Sequence, residues 1–87
     1  MIPEKIARQM YAKNREKIIQ HIRNNRGYFI VNFYQNGEVK ILDADSEIHD
    51  GKVEFSFRLK HHPSMMHQFL DMEFNKALLD YLPGGSR

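Results

Sequence analysis

Residues 52–60 read Lys-Val-Glu-Phe-Ser-Phe-Arg-Leu-Lys and alternate polar with apolar side chains without a break. A period of two marks a strand with one buried and one wetter face. Val53, Phe55, Phe57 and Leu59 are expected against a core. Lys52, Glu54, Ser56, Arg58 and Lys60 are expected on the other side. A sheet built on such a strand needs a second layer over its apolar face.

The rest of the chain supplies both. Residues 28–34, Tyr-Phe-Ile-Val-Asn-Phe-Tyr, are of β-forming types, and Asn36-Gly37 behind them is a strong hairpin signal. A two-residue turn there pairs Tyr34 with Val39, Phe33 with Lys40 and Val31 with Leu42, with 38–44 as the returning strand. Tyr28, Ile30, Tyr34, Val39 and Ile41 then fall on the outer sheet face. Residues 3–25 carry a helical stripe of Ala7, Tyr11, Ile18 and Ile22, flanked by Ile6 and Met10 and interrupted by Asn14. Pro3 and Glu4 suit its start, and Arg26-Gly27 its stop. An acidic connection, 45–51, ends in the turn signal Asp50-Gly51. His62-Pro63-Ser64 opens a second helix over 64–82, with a core stripe of Met66, Leu70, Phe74, Ala77, Leu78 and Tyr81. Pro83-Gly84-Gly85 ends it. The expected fold is α+β in the order α-β-β-β-α. It is one domain over 1–87, a three-stranded antiparallel meander with two helices on one face.

Composition narrows the function classes. At 87 residues and 41% hydrophobic content, one small ordered domain is expected. The absence of cysteine excludes disulfides, thiolate catalysis and Cys-based zinc sites. No apolar run approaches the ~20 residues of a membrane span. Glu4, Lys5 and Arg8 replace the apolar segment of a secretion signal, so a cytoplasmic protein is expected, with no membrane partner. The net charge of +2 is unevenly placed: residues 1–26 hold seven basic against two acidic side chains, the remainder six against nine. An N-terminal third at +5 suits phosphates or an acidic protein surface as partner.

Catalytic and metal chemistry find little support. Ser46, Ser56, Ser64 and Ser86 lack a nucleophile context, and there is no Gly-rich phosphate loop. Asp43, Asp45, Glu47 and Asp50 cluster with His49, but without the spacing of a calcium loop. His61, His62 and His67 gather near the second helix start, and the five-residue step from His62 to His67 does not align ligands on a helix. No metal or cofactor is expected.

Two surfaces stand out. Lys5, Arg8, Arg15, Arg23 and Arg26 share one flank of the first helix, and arginine favours planar pairing with phosphate or carboxylate. Met65, Met72 and Leu79 recur every seven residues on the second helix, off its core stripe and beside Phe69. With Tyr28, Tyr34 and Ile41 of the sheet they make a candidate apolar interface and a basis for a homodimer.

The α-β-β-β-α order resembles that of the double-stranded RNA-binding domain and of the HicA-type messenger-RNA interferases, in topology alone. Ser64-Met65-Met66-His67-Gln68-Phe69-Leu70-Asp71 stands where the former carries a lysine-rich helix start. Arg26-Gly27-Tyr28 stands where the latter carry Gly-Ser-His. No family follows from this, and fold analogy cannot supply function. The expected function is that of a small non-catalytic binding protein, a regulator or inhibitor acting by protein contacts. Short chains of this kind are expected among phage- or mobile-element-encoded proteins that act on host machinery in the host cytoplasm. The alternative is a nucleic-acid-binding regulator using the basic helix. A HicA-like ribonuclease, with His49, His61 or His62 as acid–base group, is the third.

Overall fold

The computed structural model describes residues 2–45 and 52–83. Five elements follow in the expected order: α1 (Glu4–Asn25), β1 (Tyr28–Tyr34), β2 (Val39–Asp43), β3 (Val53–Lys60) and α2 (Met66–Tyr81). The chain is an α+β fold with three antiparallel strands in one sheet and two helices. The expected turns at Asp50-Gly51 and Gly84-Gly85 lie outside the described residues, as do Ser46, Glu47, His49 and Ser86.

The strand order is β2-β1-β3, not that of a meander. β1 takes the centre and pairs antiparallel with both neighbours. The physical reason is burial: Phe29, Val31, Asn32, Phe33 and Tyr34 of β1 are all buried, whereas charged residues interrupt both other strands. Charged side chains are tolerated on sheet edges, where solvent reaches them.

The β1–β2 register also differs from expectation. Phe33 pairs with Val39 and Val31 with Ile41, one residue from the expected pairing. The Tyr34 carbonyl accepts the Gly37 N–H at 3.0 Å, and the Tyr34 N–H donates to the Glu38 carbonyl at 2.9 Å. Asn36 Oδ1 accepts the Glu38 N–H at 2.9 Å, and Gly37 has φ +93°. This is a three-residue loop closed by a left-handed glycine, the next commonest hairpin after the two-residue form. A one-residue slip turns every β2 side chain to the opposite face. Val39 is therefore buried in the core and Ile41 packs against it, while Lys40 stands opposite Asn32.

The core lies between sheet and helices. β1 contributes Phe29, Val31 and Phe33, and β3 contributes Phe55, Phe57 and Leu59. From α1 come Ala7, Met10, Tyr11, Ile18, Ile19 and Ile22; Ile6 stays exposed. From α2 come Met66, Leu70, Phe74 and Leu78. Phe74 is the hub, stacked on Tyr11 at 3.9 Å between centroids and facing Phe33, Phe55 and Phe57 at 5.7, 6.2 and 6.5 Å. The period-two pattern of β3 holds from Phe55 to Lys60 and breaks before it. There the ladder shifts, so Tyr34 pairs with Val53 and Glu54 has no opposite residue. Val53 is thus only half-buried, and Glu54 accepts the Tyr81 hydroxyl at 2.9 Å.

Candidate functional site

The basic flank of α1 is partly spent inside the fold. Its first two arginines face α2, which the 3.6-residue period brings onto that side of α1. Arg15 is half-buried and grips Asp71 with two parallel bonds, Nε to Oδ1 at 2.8 Å and Nη2 to Oδ2 at 2.9 Å. Tyr11 donates its hydroxyl to the same carboxylate. The Arg15 bond holds the Asp71 carboxyl below its ordinary pKa, against partial burial that acts the other way. Burial, and then the bond to Asp71, push the Tyr11 phenol above its ordinary value. Arg8 pairs with Glu4 at 2.9 Å and reaches Asn75 of α2 at 3.3 Å. The expected ridge of free arginines is therefore corrected: Arg15 is a clamp between helices, and Arg8 is tied across the same seam. Lys5, Arg23 and Arg26 are exposed and form no ion pair with other described residues.

The apolar set divides similarly. Tyr28 is 61% exposed, and Met65, Met72 and Leu79 are each 46% exposed. Tyr34 lies on the outer face but is buried, with Lys40 Nζ 5.1 Å from its ring centroid and Asn32 Nδ2 donating to its hydroxyl at 3.4 Å. Ile41 faces the helices for the register reason above. Neither is available as an outer-face contact, which corrects the expectation for both. Phe69 is half-buried beneath His62, whose ring stacks on it at 3.6 Å.

What the fold adds is a groove that the sequence does not announce. Along the free side of β3, next to α2, runs a hollow of about 430 Å³. Phe69, Met72 and Leu59 give it apolar walls, Tyr28 closes one end, and Arg58 and Lys60 form its cationic rim. Lys60 sits 5.5 Å from the Tyr28 ring centroid. Three residues of the candidate apolar set thus meet two cations that the charge count alone did not single out. The available signal was the position of Arg58 and Lys60 on the polar side of an alternating strand, which becomes decisive only once β3 is known to be an edge. A larger hollow at the hairpin end is lined by Tyr34, Asn36, Lys40, Lys52, Val53 and Glu54, and mixes polar with apolar surface.

The three histidines near α2 go to separate partners. His61 Nδ1–H donates to the Ile22 carbonyl at 2.9 Å, helping to close the end of α1. His62 stacks on Phe69, and His67 Nε2–H donates to Glu16 at 3.1 Å. Among the described residues no three His, Asp or Glu side chains converge on a metal-sized site. No helix among them is long and apolar enough to cross a membrane. No protein-family model matches the chain, and no curated protein or solved structure shows significant similarity to it.

Proposed function

We propose that this chain is a non-catalytic binding protein that works through protein contacts on the face shared by β3 and α2. The observation that carries this is the convergence of exposed Tyr28 and Met72 with half-buried Phe69 in one groove. Met65 and Leu79 extend its apolar character along α2. Exposed apolar surface gathered on one face marks a partner site more often than scattered residues do. The stripe from Met65 to Leu79 covers about 21 Å at ~1.5 Å of rise per residue. Two of the arginines that favoured nucleic acid are engaged between the helices.

The test compares three forms of the protein in capture from cell extract: the unmodified chain, Met72→Glu, and the pair Arg23→Glu with Arg26→Glu. A protein partner lost with Met72→Glu and kept by the arginine pair is the expected result. Loss with the arginine pair alone, together with nucleic-acid binding that falls steeply with salt, would transfer the function to α1. A homodimer belongs to the same proposal, with a second copy as the partner, and needs more than ~1,000 Å² of buried surface. Sedimentation at micromolar concentration decides that case: a species near 10.4 kDa leaves the stripe to a different protein.

A further inference from the structure

We infer that the free edge of β3 accepts an extended segment of a partner protein, in which acidic and apolar residues alternate, as a fourth strand of the sheet. This rests on the protein-contact function proposed above and names the partner's chemistry.

The Ala44 N–H donates to the Tyr28 carbonyl and the Tyr34 N–H to the Glu38 carbonyl, so even-numbered residues of β1 bond to β2. The His61 N–H donates to the Gly27 carbonyl at 2.8 Å, so odd-numbered residues bond to β3. In an antiparallel ladder the two sets alternate. With Phe29 opposite Leu59 and Val31 opposite Phe57, the backbone groups of Ser56, Arg58 and Lys60 point away from the sheet. β3 is an edge, and among the described residues no strand pairs on its far side. A row of unpaired N–H and C=O groups is a template for strand addition.

The side chains then specify what fits. An added strand alternates its side chains between the two faces of the sheet. On the outer face they meet Arg58, Lys60 and Ser56, all exposed, and Arg58 has no ion-pair partner among the described residues. Acidic side chains fit there. On the helix side they meet Phe69 and Met72, where apolar side chains fit; Glu73 on that wall already pairs with Lys76 at 3.5 Å. A second copy adding its own β3 would set Arg58 and Lys60 among their own counterparts, and like charges across a strand pair are destabilising. The same cations that blunt this edge against self-pairing therefore select an acidic strand.

The probes are end-blocked seven-residue peptides of alternating glutamate and valine, the lysine and valine counterpart, and the glutamate peptide N-methylated at alternate residues. Amide shifts and hydrogen exchange of the full chain are read by NMR. Addition of the glutamate peptide should shift the amides of Ser56, Arg58 and Lys60 and slow their exchange. N-methylation should abolish both effects, and the lysine peptide should bind roughly tenfold more weakly or worse, since like-charge contacts disfavour a wrong partner. Arg58→Glu with Lys60→Glu, both exposed positions, should reverse the preference with an unchanged circular dichroism spectrum. Equal binding of the two charge types overturns the choice of an acidic segment, and amide shifts that survive N-methylation, or unperturbed β3 amides at millimolar peptide, overturn strand addition. If Met72→Glu still removes the captured partner in that case, protein contact on this face stands and strand addition alone falls.

Discussion

Arg15 shows how one residue can look like surface charge in the sequence and act as a fastener in the fold. Its bidentate bond to Asp71, with the Tyr11 hydroxyl on the same carboxylate, ties α1 to α2 beside the Tyr11–Phe74 stack. Both side chains remain partly exposed, so a double-mutant cycle between Arg15→Met and Asp71→Asn should give a coupling of about 0.5–1 kcal/mol in urea unfolding. Asp71 is held below its ordinary pKa when folded, so its contribution is present above the unfolded value and is lost as pH falls through the folded one. Arg15→Met should flatten the acid limb of the stability profile below about pH 4. Tyr11 is shifted upward, so its contribution is complete below about pH 10 and is lost as pH rises through the folded value; Tyr11→Phe should flatten the alkaline limb. Arg26 is a different case. It holds φ +49° with ψ 161°, a region that suits glycine, directly before Gly27 at φ +101°. Arg26→Gly should stabilise by about 1 kcal/mol, whereas Arg26→Ala, with the same backbone cost, should not. Equal effects from the two would show that charge, not conformation, sets stability there.

At the scale of elements, periodicity and punctuation were legible and pairing was not. The stripes Ala7-Tyr11-Ile18-Ile22 and Met66-Leu70-Phe74-Leu78 read directly as helix faces, because one period generates both pattern and burial. Asn36-Gly37 was rightly a turn, but the shortest loop was not the one formed. Its neighbours carried the correction: only the slipped register places Val39 and Ile41 beside Val31 and Phe33 and turns Lys40 outward. Strand order was hidden for a related reason. Adjacency in sequence suggests a meander, while composition puts the most apolar strand, β1, at the centre and the charged strands at the edges. Gly37→Ala should cost about 1–2 kcal/mol, because an alanine there takes a left-handed backbone. An added Cβ meets nothing within 4 Å, so the loss is conformational and not steric. Urea unfolding with no loss would contradict the assigned turn.

At the scale of the molecule, the candidate site was half-legible. The α2 stripe was visible as residues left over from the core, and Met65, Met72 and Leu79 are exposed. The groove was invisible, because its walls come from Tyr28, β3 and α2, which sequence distance keeps apart until the sheet order is known. Methionine placement offers a direct test of where partners dock. Met10 and Met66 are buried, whereas Met65 and Met72 are exposed, so uniform labelling with photo-methionine carries its own internal controls. On irradiation in cells, cross-links to a protein partner are expected at Met72, and at Met65 where the contact extends along α2, with none at Met10 or Met66. Partner recovery without any adduct at Met65 or Met72 would contradict it, and would move the working surface away from the β3–α2 face.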